Sequence, residues 1–431
     1  MKMCKMNVRS MMNNWIFVLL LSLVFGPMAG QEATVDYKAL KGEVVDSGSK
    51  EPLVFATLLL EGSNISTVTN TEGEFLLKIP SEVQTGNVII SFLGYKSKSL
   101  PLEWFQEKNN RVTLDVGITQ LAEVDVSAPK SALALVKLMM AKRGENYFKE
   151  ATTMTAFYRE TIKKRRRNVS LSEAVVTIYK SPYLSSRKDA VSLYKARKST
   201  DYSKLDTLAL KLQGGPYNAL YVDIMKYPDY LFSSESIKDY DFSFDRATNI
   251  NEKRVYVVNF EQKPGIMEPL YRGKLYIDAE KKILTSAIFS LKITNKELAA
   301  RLFVRKKPRH AKVYPTEVAY RVDYREKDGR WYYGYSNAIM EFKVNWDKKL
   351  FNSVYSMTSE MAITDWEKNI SGDVPKPKDR MKTSIIMSDE AVGFSDPDFW
   401  GEYNIIEPEK SIESAIKKIQ RQLRKEQGKT G

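Results

Sequence analysis

The chain has 431 residues, 67 Lys and Arg against 53 Asp and Glu, one histidine and one cysteine, giving a formal charge of +14. One cysteine excludes an intrachain disulfide and Cys-based zinc sites, and one histidine excludes a metallocarboxypeptidase centre, which needs a His-x-x-Glu pair plus a distant His. A length of this order suffices for two domains of ordinary size.

The first thirty residues read as a cleavable signal peptide (1–30). Lys2, Lys5 and Arg9 form the basic region, Trp15 to Phe25 the apolar core, and Met28-Ala29-Gly30 a small-residue exit. The apolar run is about eleven residues, short of the roughly twenty that a membrane span needs. Removing its three cations takes the charge from +14 to +11, and Cys4 leaves with it. Basic exported chains meet lipopolysaccharide, phospholipid headgroups or acidic glycans. Nucleic acid is excluded as a partner on the same ground.

From residue 36 to 128 short strands alternate with turns. Asp46-Ser47-Gly48-Ser49 is a turn, Val54 to Leu60 an apolar run, and Asn70-Thr71-Glu72-Gly73 a hairpin closing on a glycine that can take positive φ. Val88, Ile90 and Phe92 alternate in a strand ending at Gly94-Tyr95. About seven strands at this spacing predict a β-sandwich. The segments GEVVDSGSKEPLVFATLLLEGSNISTVTNTEGEFLLKIP and VIISFLGYKS closely resemble the carboxypeptidase-regulatory-like domain, a transthyretin-like sandwich common in Bacteroidetes envelope proteins. The same domain precedes the plug of starch-utilisation-type TonB-dependent receptors, and LAEVDVSA resembles the strand that follows it there. The remaining residues, about 300, are too few for a plug and a twenty-two-stranded barrel.

Residues 129–150 hold a connecting helix, with Ala132, Leu135, Val136 and Met139 at helical spacing before Gly144. Residues 151–369 are dominated by strands rich in Val, Ile, Tyr and Phe and predict one large antiparallel sheet, curved or half-barrel, so that the fold class is mainly β. Lys204 to Leu212 and Tyr217 to Met225 read as helices inside it. FYRE (157–160), SEAVVTIYKSPY (172–183), VYVVNF (255–260), YRGKLYID (271–278) and DPDFWGEYNIIEP (396–408) resemble a β-rich family of Bacteroidetes envelope proteins that pairs this part with the regulatory-like domain. The GKLYID strand is also similar to the half-barrel of outer-membrane lipoprotein carriers, which implies an apolar ligand if the sheet curves over helices. Residues 370–431 read as a linker and then a helix with Ile412, Ala415, Ile416, Ile419 and Leu423 on one stripe.

No phosphate-cradling glycine motif and no G-x-S-x-G elbow occurs, and a histidine triad would need His310, which sits in the basic run RKKPRHAK. No cofactor and no metal is expected. Glycosidases need only two carboxylates, for which Glu160, Glu173, Asp278 and Glu317 offer themselves. Arg159, Glu160 and Glu173 fall on adjacent predicted strands and read more simply as a cross-strand ion pair. Two basic clusters stand in loops: Lys163, Lys164, Arg165, Arg166 and Arg167, and Arg305, Lys306, Lys307 and Arg309. If both share one edge of the sheet they would face an anionic membrane surface; otherwise they are solvated turns. Asp206-Thr207-Leu208 fits an O-glycosylation tripeptide at Thr207. The reading is a non-catalytic exported envelope protein, an outer-membrane-associated accessory, binding or carrier factor whose partner is an outer-membrane protein or a lipid or lipopolysaccharide surface. A carboxylate-dependent glycan hydrolase and a structural interaction scaffold are the alternatives.

Overall fold

The computed structural model describes residues 36–408 apart from 118, 121–130, 166, 201–211, 246–247, 251–252, 306, 308, 348–351 and 394–398. The expected signal peptide, the helix before Leu212, Thr207, Arg166, Lys306 and the C-terminal helix lie outside the described residues.

Among the described residues, seven strands build the N-terminal sandwich: β1 (Tyr37–Asp46), β2 (Thr57–Leu60), β3 (Ser66–Val68), β4 (Glu74–Pro80), β5 (Asn87–Ser91), β6 (Lys98–Pro101) and β7 (Asn110–Leu114). They form two sheets, β4-β1-β7 and β3-β2-β5-β6. Alternation along each strand sends Leu40, Val44, Leu58, Phe75, Leu77, Val88, Ile90 and Val112 into one core. Asn70 Oδ1 accepts from the backbone N–H groups of Glu72 and Glu74, both at 2.9 Å, and so holds the β3–β4 hairpin. Gly73 has φ +74°, and a Cβ there would lie 2.8 Å from both Pro52 Cβ and the Val44 carbonyl, so the turn tolerates only glycine.

The rest of the chain adds β8 (Thr119–Gln120), α1 (Ala132–Ala141), α2 (Arg143–Asn146), β9 (Thr152–Lys164), β10 (Arg167–Lys180), β11 (Ala190–Thr200), α3 (Pro216–Leu220), β12 (Tyr240–Phe244), β13 (Thr248–Ile250), β14 (Lys253–Gln262), β15 (Tyr271–Asp278) and β16 (Leu284–Leu291). It continues with α4 (Lys296–Phe303), β17 (Ala311–Lys327), β18 (Arg330–Trp346), β19 (Ser353–Lys368), α5 (Met387–Glu390) and β20 (Val392–Gly393). These strands make one open sheet in the order β20-β11-β10-β9-β19-β18-β17-β16-β15-β14-β13-β8, with β12 also paired to β14. The fold is mainly β, and the large sheet is antiparallel except at the β11–β20 edge. Register shifts at Val175/Val176, Ile363/Asp365 and Asp323/Tyr324 are the bulges that bend such long strands.

Both faces of the central strands are buried. On the inner face Met154, Ala156, Tyr158, Val176 and Ile178 pack with Leu135 and Met139 of α1 and with Tyr217, Ala219 and Leu220 of α3. Ser131 caps α1, its Oγ accepting from Ala134 N at 3.1 Å. On the outer face Phe157, Val175, Tyr335 and Ala362 meet Val68 and Leu76 of the sandwich and Trp400, Ile405 and Ile406 from the C-terminal region.

The helix expected over Tyr217 to Met225 stops at Leu220. Val222 N and Asp223 N bond three residues back, to Ala219 and Leu220, which tightens the chain. The Asp223 side chain is committed to Lys180 and Tyr324, at 2.8 and 2.9 Å, rather than to a helical surface.

Candidate functional site

Strand register builds a row of charges across the outer face. Glu173 on β10 is the register partner of Arg159 on β9 and of Arg197 on β11, while Arg159 is also the partner of Glu360 on β19. The signs thus alternate across four strands. Arg159 Nε donates to Glu173 Oε1 at 2.7 Å, Arg197 Nε donates to Glu173 Oε2 at 2.8 Å, and Arg159 Nη1 lies 3.4 Å from Glu360 Oε1. Tyr335 OH donates to the other Glu360 oxygen at 3.3 Å. All four charged side chains are buried. Burial alone pushes the Glu173 carboxyl up, but Arg159 and Arg197 outweigh it and hold the group below its ordinary value. A carboxylate fixed in its ionised form by two guanidiniums is a poor general acid.

The row is covered by a strap, residues 399–407, that lies between sheet and sandwich. Arg159 Nη2 donates to the Ile406 carbonyl at 2.5 Å, Thr67 Oγ1 to the Ile405 carbonyl at 2.9 Å, and Asn70 Nδ2 to the Glu407 carbonyl at 3.1 Å. Asn404 pairs with the backbone of Lys78 like one more strand residue, accepting from its N–H at 2.7 Å and donating to its carbonyl at 3.0 Å. Trp400 lies edge-on to Phe157 and under the Arg197 guanidinium, 4.8 Å from the ring centre. Direct contacts complete the joint: Phe55 stacks on Tyr335, and Arg325 Nη1 donates to Ser66 Oγ at 2.6 Å and to the Ile363 carbonyl at 2.9 Å.

Glu160 follows Arg159 in sequence and therefore faces the other side of the sheet. Its register partners are Ser172 and Ser359, and Tyr158 OH donates to Oε2 at 2.9 Å. Burial pushes its carboxyl up to about 7 against the hydrogen bond from Tyr158 and the neighbouring Ser172 hydroxyl, with Asp389 adding in the same direction as burial. The structure thus brings Arg159 and Glu173 together and keeps Glu160 from both, so no single substrate reaches Glu160 and Glu173. Asp278 is spent on a turn, its Oδ1 accepting from Glu280 N and Lys281 N, and Glu317 is exposed on β17.

A second ionic cluster escaped the sequence reading. Lys180 Nζ lies 3.0 Å from Asp189 Oδ2 and 2.8 Å from Asp223 Oδ2, with all three groups buried. Burial pulls the ammonium down, but the two carboxylates outweigh it and raise Lys180 above its ordinary value. The rings of Tyr183, Tyr333 and Tyr227 surround the ammonium at 5.0, 5.8 and 5.9 Å. Lys226 beside it is brought down to about 8 by burial and donates to the carbonyls of Pro182 and Ser185, both at 2.7 Å. Three chain segments meet here with no local signature. The cluster clamps the 212–239 region onto the inner face.

The basic residues occupy one end of the sheet. Lys164 ends β9 and pairs with Tyr355 at the start of β19, Ser353 pairs with Val344 near the end of β18, and Trp346 pairs with Ala311 at the start of β17. The β9–β10 tip, with Arg165 exposed, and the loop before β17, with Lys307 and Arg309 exposed, therefore share an edge. Of Arg167 only the backbone is described. His310 is exposed, its Nδ1 lying 3.7 Å from Asp347 Oδ2. Among the described residues no group of three or more His, Cys, Asp or Glu could hold a metal ion, and no helix is long and apolar enough to cross a membrane.

Comparison with known proteins bears on the sandwich. Residues 40–126 match the family model of the CarboxypepD_reg-like domain. The chain is 32% identical over 89 residues to the TonB-dependent receptor SusC of Bacteroides thetaiotaomicron, a stretch that is 21% of this chain and 8% of the receptor. Among solved structures, a DUF1329 family protein from Desulfovibrio piger is similar over 56% of this chain and 95% of its own at 10% identity and a TM-score of 0.24. MucB is similar over 54% of this chain and 94% of its own, at 10% identity and a TM-score of 0.18. Lipovitellin is similar over 55% of this chain and 27% of its own, at 7% identity and a TM-score of 0.23. Scores this far below 0.5 establish no common fold and support no transfer of function. The matches on the N-terminal side are of another kind: together with the observed sandwich they make residues 40–126 a carboxypeptidase-regulatory-like domain, set on a large open β-sheet.

Proposed function

We propose that the chain is a non-catalytic accessory factor of the cell envelope that works by binding, with its sandwich and sheet presenting one joined surface. The observation that carries this reading is the covered charge row. The acidic residues best placed for chemistry, Glu173 and Glu360, are neutralised by Arg159 and Arg197 beneath the strap. The inner face is occupied by Leu135, Met139, Tyr217 and Leu220, which favours a scaffold over a carrier of apolar cargo. A glycan hydrolase needs two acidic groups open to one substrate, and Glu160 and Glu173 face opposite sides. The regulatory-like domain and its likeness to a stretch of a TonB-dependent receptor support an exported protein with an outer-membrane address and partner.

Cell fractionation of the full chain in its own host tests the reading. The expected result is sedimentation with the outer membrane and release by high salt or carbonate. A uniformly soluble pool overturns it.

A further inference from the structure

The sheet has two unlike ends. At one, the β17–β18 turn carries Glu326, Lys327 and Asp328, mixed in sign. At the other, the β9–β10 tip carries Lys163, Lys164 and Arg165, and the segment from α4 to β17 carries Arg301, Arg305, Lys307 and Arg309. The strands between them are β19 and β18, so β9 and β17 stand three strand spacings apart, roughly 15 Å at about 4.8 Å each. The two groups therefore lie at the same end of the sheet. Among the described residues the acidic groups here are Asp347, which faces His310, Glu297 in the first turn of α4, and Glu341 and Glu317, which stand in the register row of Lys163, fewer than the cations.

Two further features belong to this end. Leu302, in the last turn of α4 between Arg301 and Arg305, is 51% exposed, although α4 buries Ala299 against β17 and β18. Arg165 at the hairpin apex has φ +56°, a conformation that glycine or asparagine adopts at less cost. A cation stands where the turn itself favours an uncharged residue. The sandwich sits elsewhere, over Phe157, Tyr335 and Trp366, and leaves this end uncovered by it.

We propose that this end of the sheet docks on an anionic lipid bilayer, with the two basic groups on headgroup phosphates and Leu302 entering the headgroup layer. Charge complementarity selects the anionic surface, and an exposed leucine among cations distinguishes a bilayer from a soluble polyanion. The inference deepens the envelope reading and rests on it.

The test is sedimentation of the mature full chain with vesicles of phosphatidylcholine alone or mixed with phosphatidylglycerol, at about 0.15 M salt. A soluble acidic polysaccharide serves as a competitor. The expected result is binding to the anionic and not to the neutral vesicles, with the polysaccharide the weaker ligand. The combined variant Arg165→Asn, Arg305→Gln and Arg309→Gln should weaken it about 100-fold, because each cation near such a surface contributes about fivefold. Arg165→Asn keeps a residue suited to positive φ, and an unchanged melting temperature shows that the fold is intact. Leu302→Ser should weaken vesicle binding and leave polysaccharide binding unchanged. Equal binding to neutral vesicles, no binding, or an unaffected triple variant overturns the proposal. Binding to the polysaccharide in preference to vesicles also overturns it, in favour of a glycan partner. A protein that fractionates with the outer membrane yet ignores anionic vesicles keeps the envelope reading and loses only this one.

Discussion

Arg159 and Glu173 meet across β9 and β10 at 2.7 Å, at 3% and 0% exposure, and the same guanidinium reaches the Ile406 carbonyl of the strap. One side chain thus joins two strands and the segment that binds the sandwich to them. Removing one partner of a buried pair leaves the other charge uncompensated, which costs more than the pair itself contributes.

Glu173→Gln should therefore destabilise the chain by about 3–5 kcal/mol, since Arg159 and Arg197 both lose the carboxylate they share and Glu360 offers Arg159 only a longer contact. Urea unfolding checks this as a lower midpoint at unchanged slope. An unchanged midpoint would show that the row contributes nothing to the joint.

Trp400 is the largest apolar anchor of the strap, 3% exposed against Phe157 and Arg197. Trp400→Ala should cost about 3–5 kcal/mol and speed amide exchange at 404–407 before other parts of the molecule. Unchanged exchange at 404–407 would contradict the anchoring role of Trp400.

Lys180→Met keeps the length of the side chain and removes its charge. Asp189 and Asp223 are then buried without their cation, at a cost of about 3–5 kcal/mol. The added variants Asp189→Asn and Asp223→Asn should recover much of the loss, measured as a double-mutant cycle. Additive losses would sink the coupling.

Glu160 gives a pH dependence of defined sign. Burial raises its folded-state value to about 7 from 4.5, so the folded chain holds a proton that the unfolded chain releases. Its contribution is fully present below about pH 4.5 and is lost as pH rises through about 7, on the order of 3 kcal/mol in all. Glu160→Gln should flatten the fall in stability between pH 5 and 8, read from denaturant melts at both values. An identical pH slope in the variant would refute the assignment.

Much of the architecture was legible because strand chemistry is local. The span 151–369, whose Val, Ile, Tyr and Phe content predicts one large antiparallel sheet, carries β9 to β19. The turn at Asn70 to Gly73 was readable from residues that favour positive φ and side-chain capping. Period-two alternation also separates Arg159 from Glu160, although proximity in sequence invites grouping them. What stayed hidden depends on distant register. Glu360 joins Arg159 only because β19 returns beside β9, and Asp223 reaches Lys180 only because the chain after α3 folds under the sheet. DPDFWGEYNIIEP stands out as a motif, but nothing local states that Trp400 and Asn404 to Glu407 lie between two sheets.

Sandwich and sheet are joined through the strap and the charge row. Differential scanning calorimetry of the mature chain tests this most directly. The expected result is a single transition whose calorimetric and van't Hoff enthalpies agree and which Trp400→Ala shifts as a whole. Two separated transitions in the unaltered chain, one of them the size of a domain of about 90 residues, would contradict it.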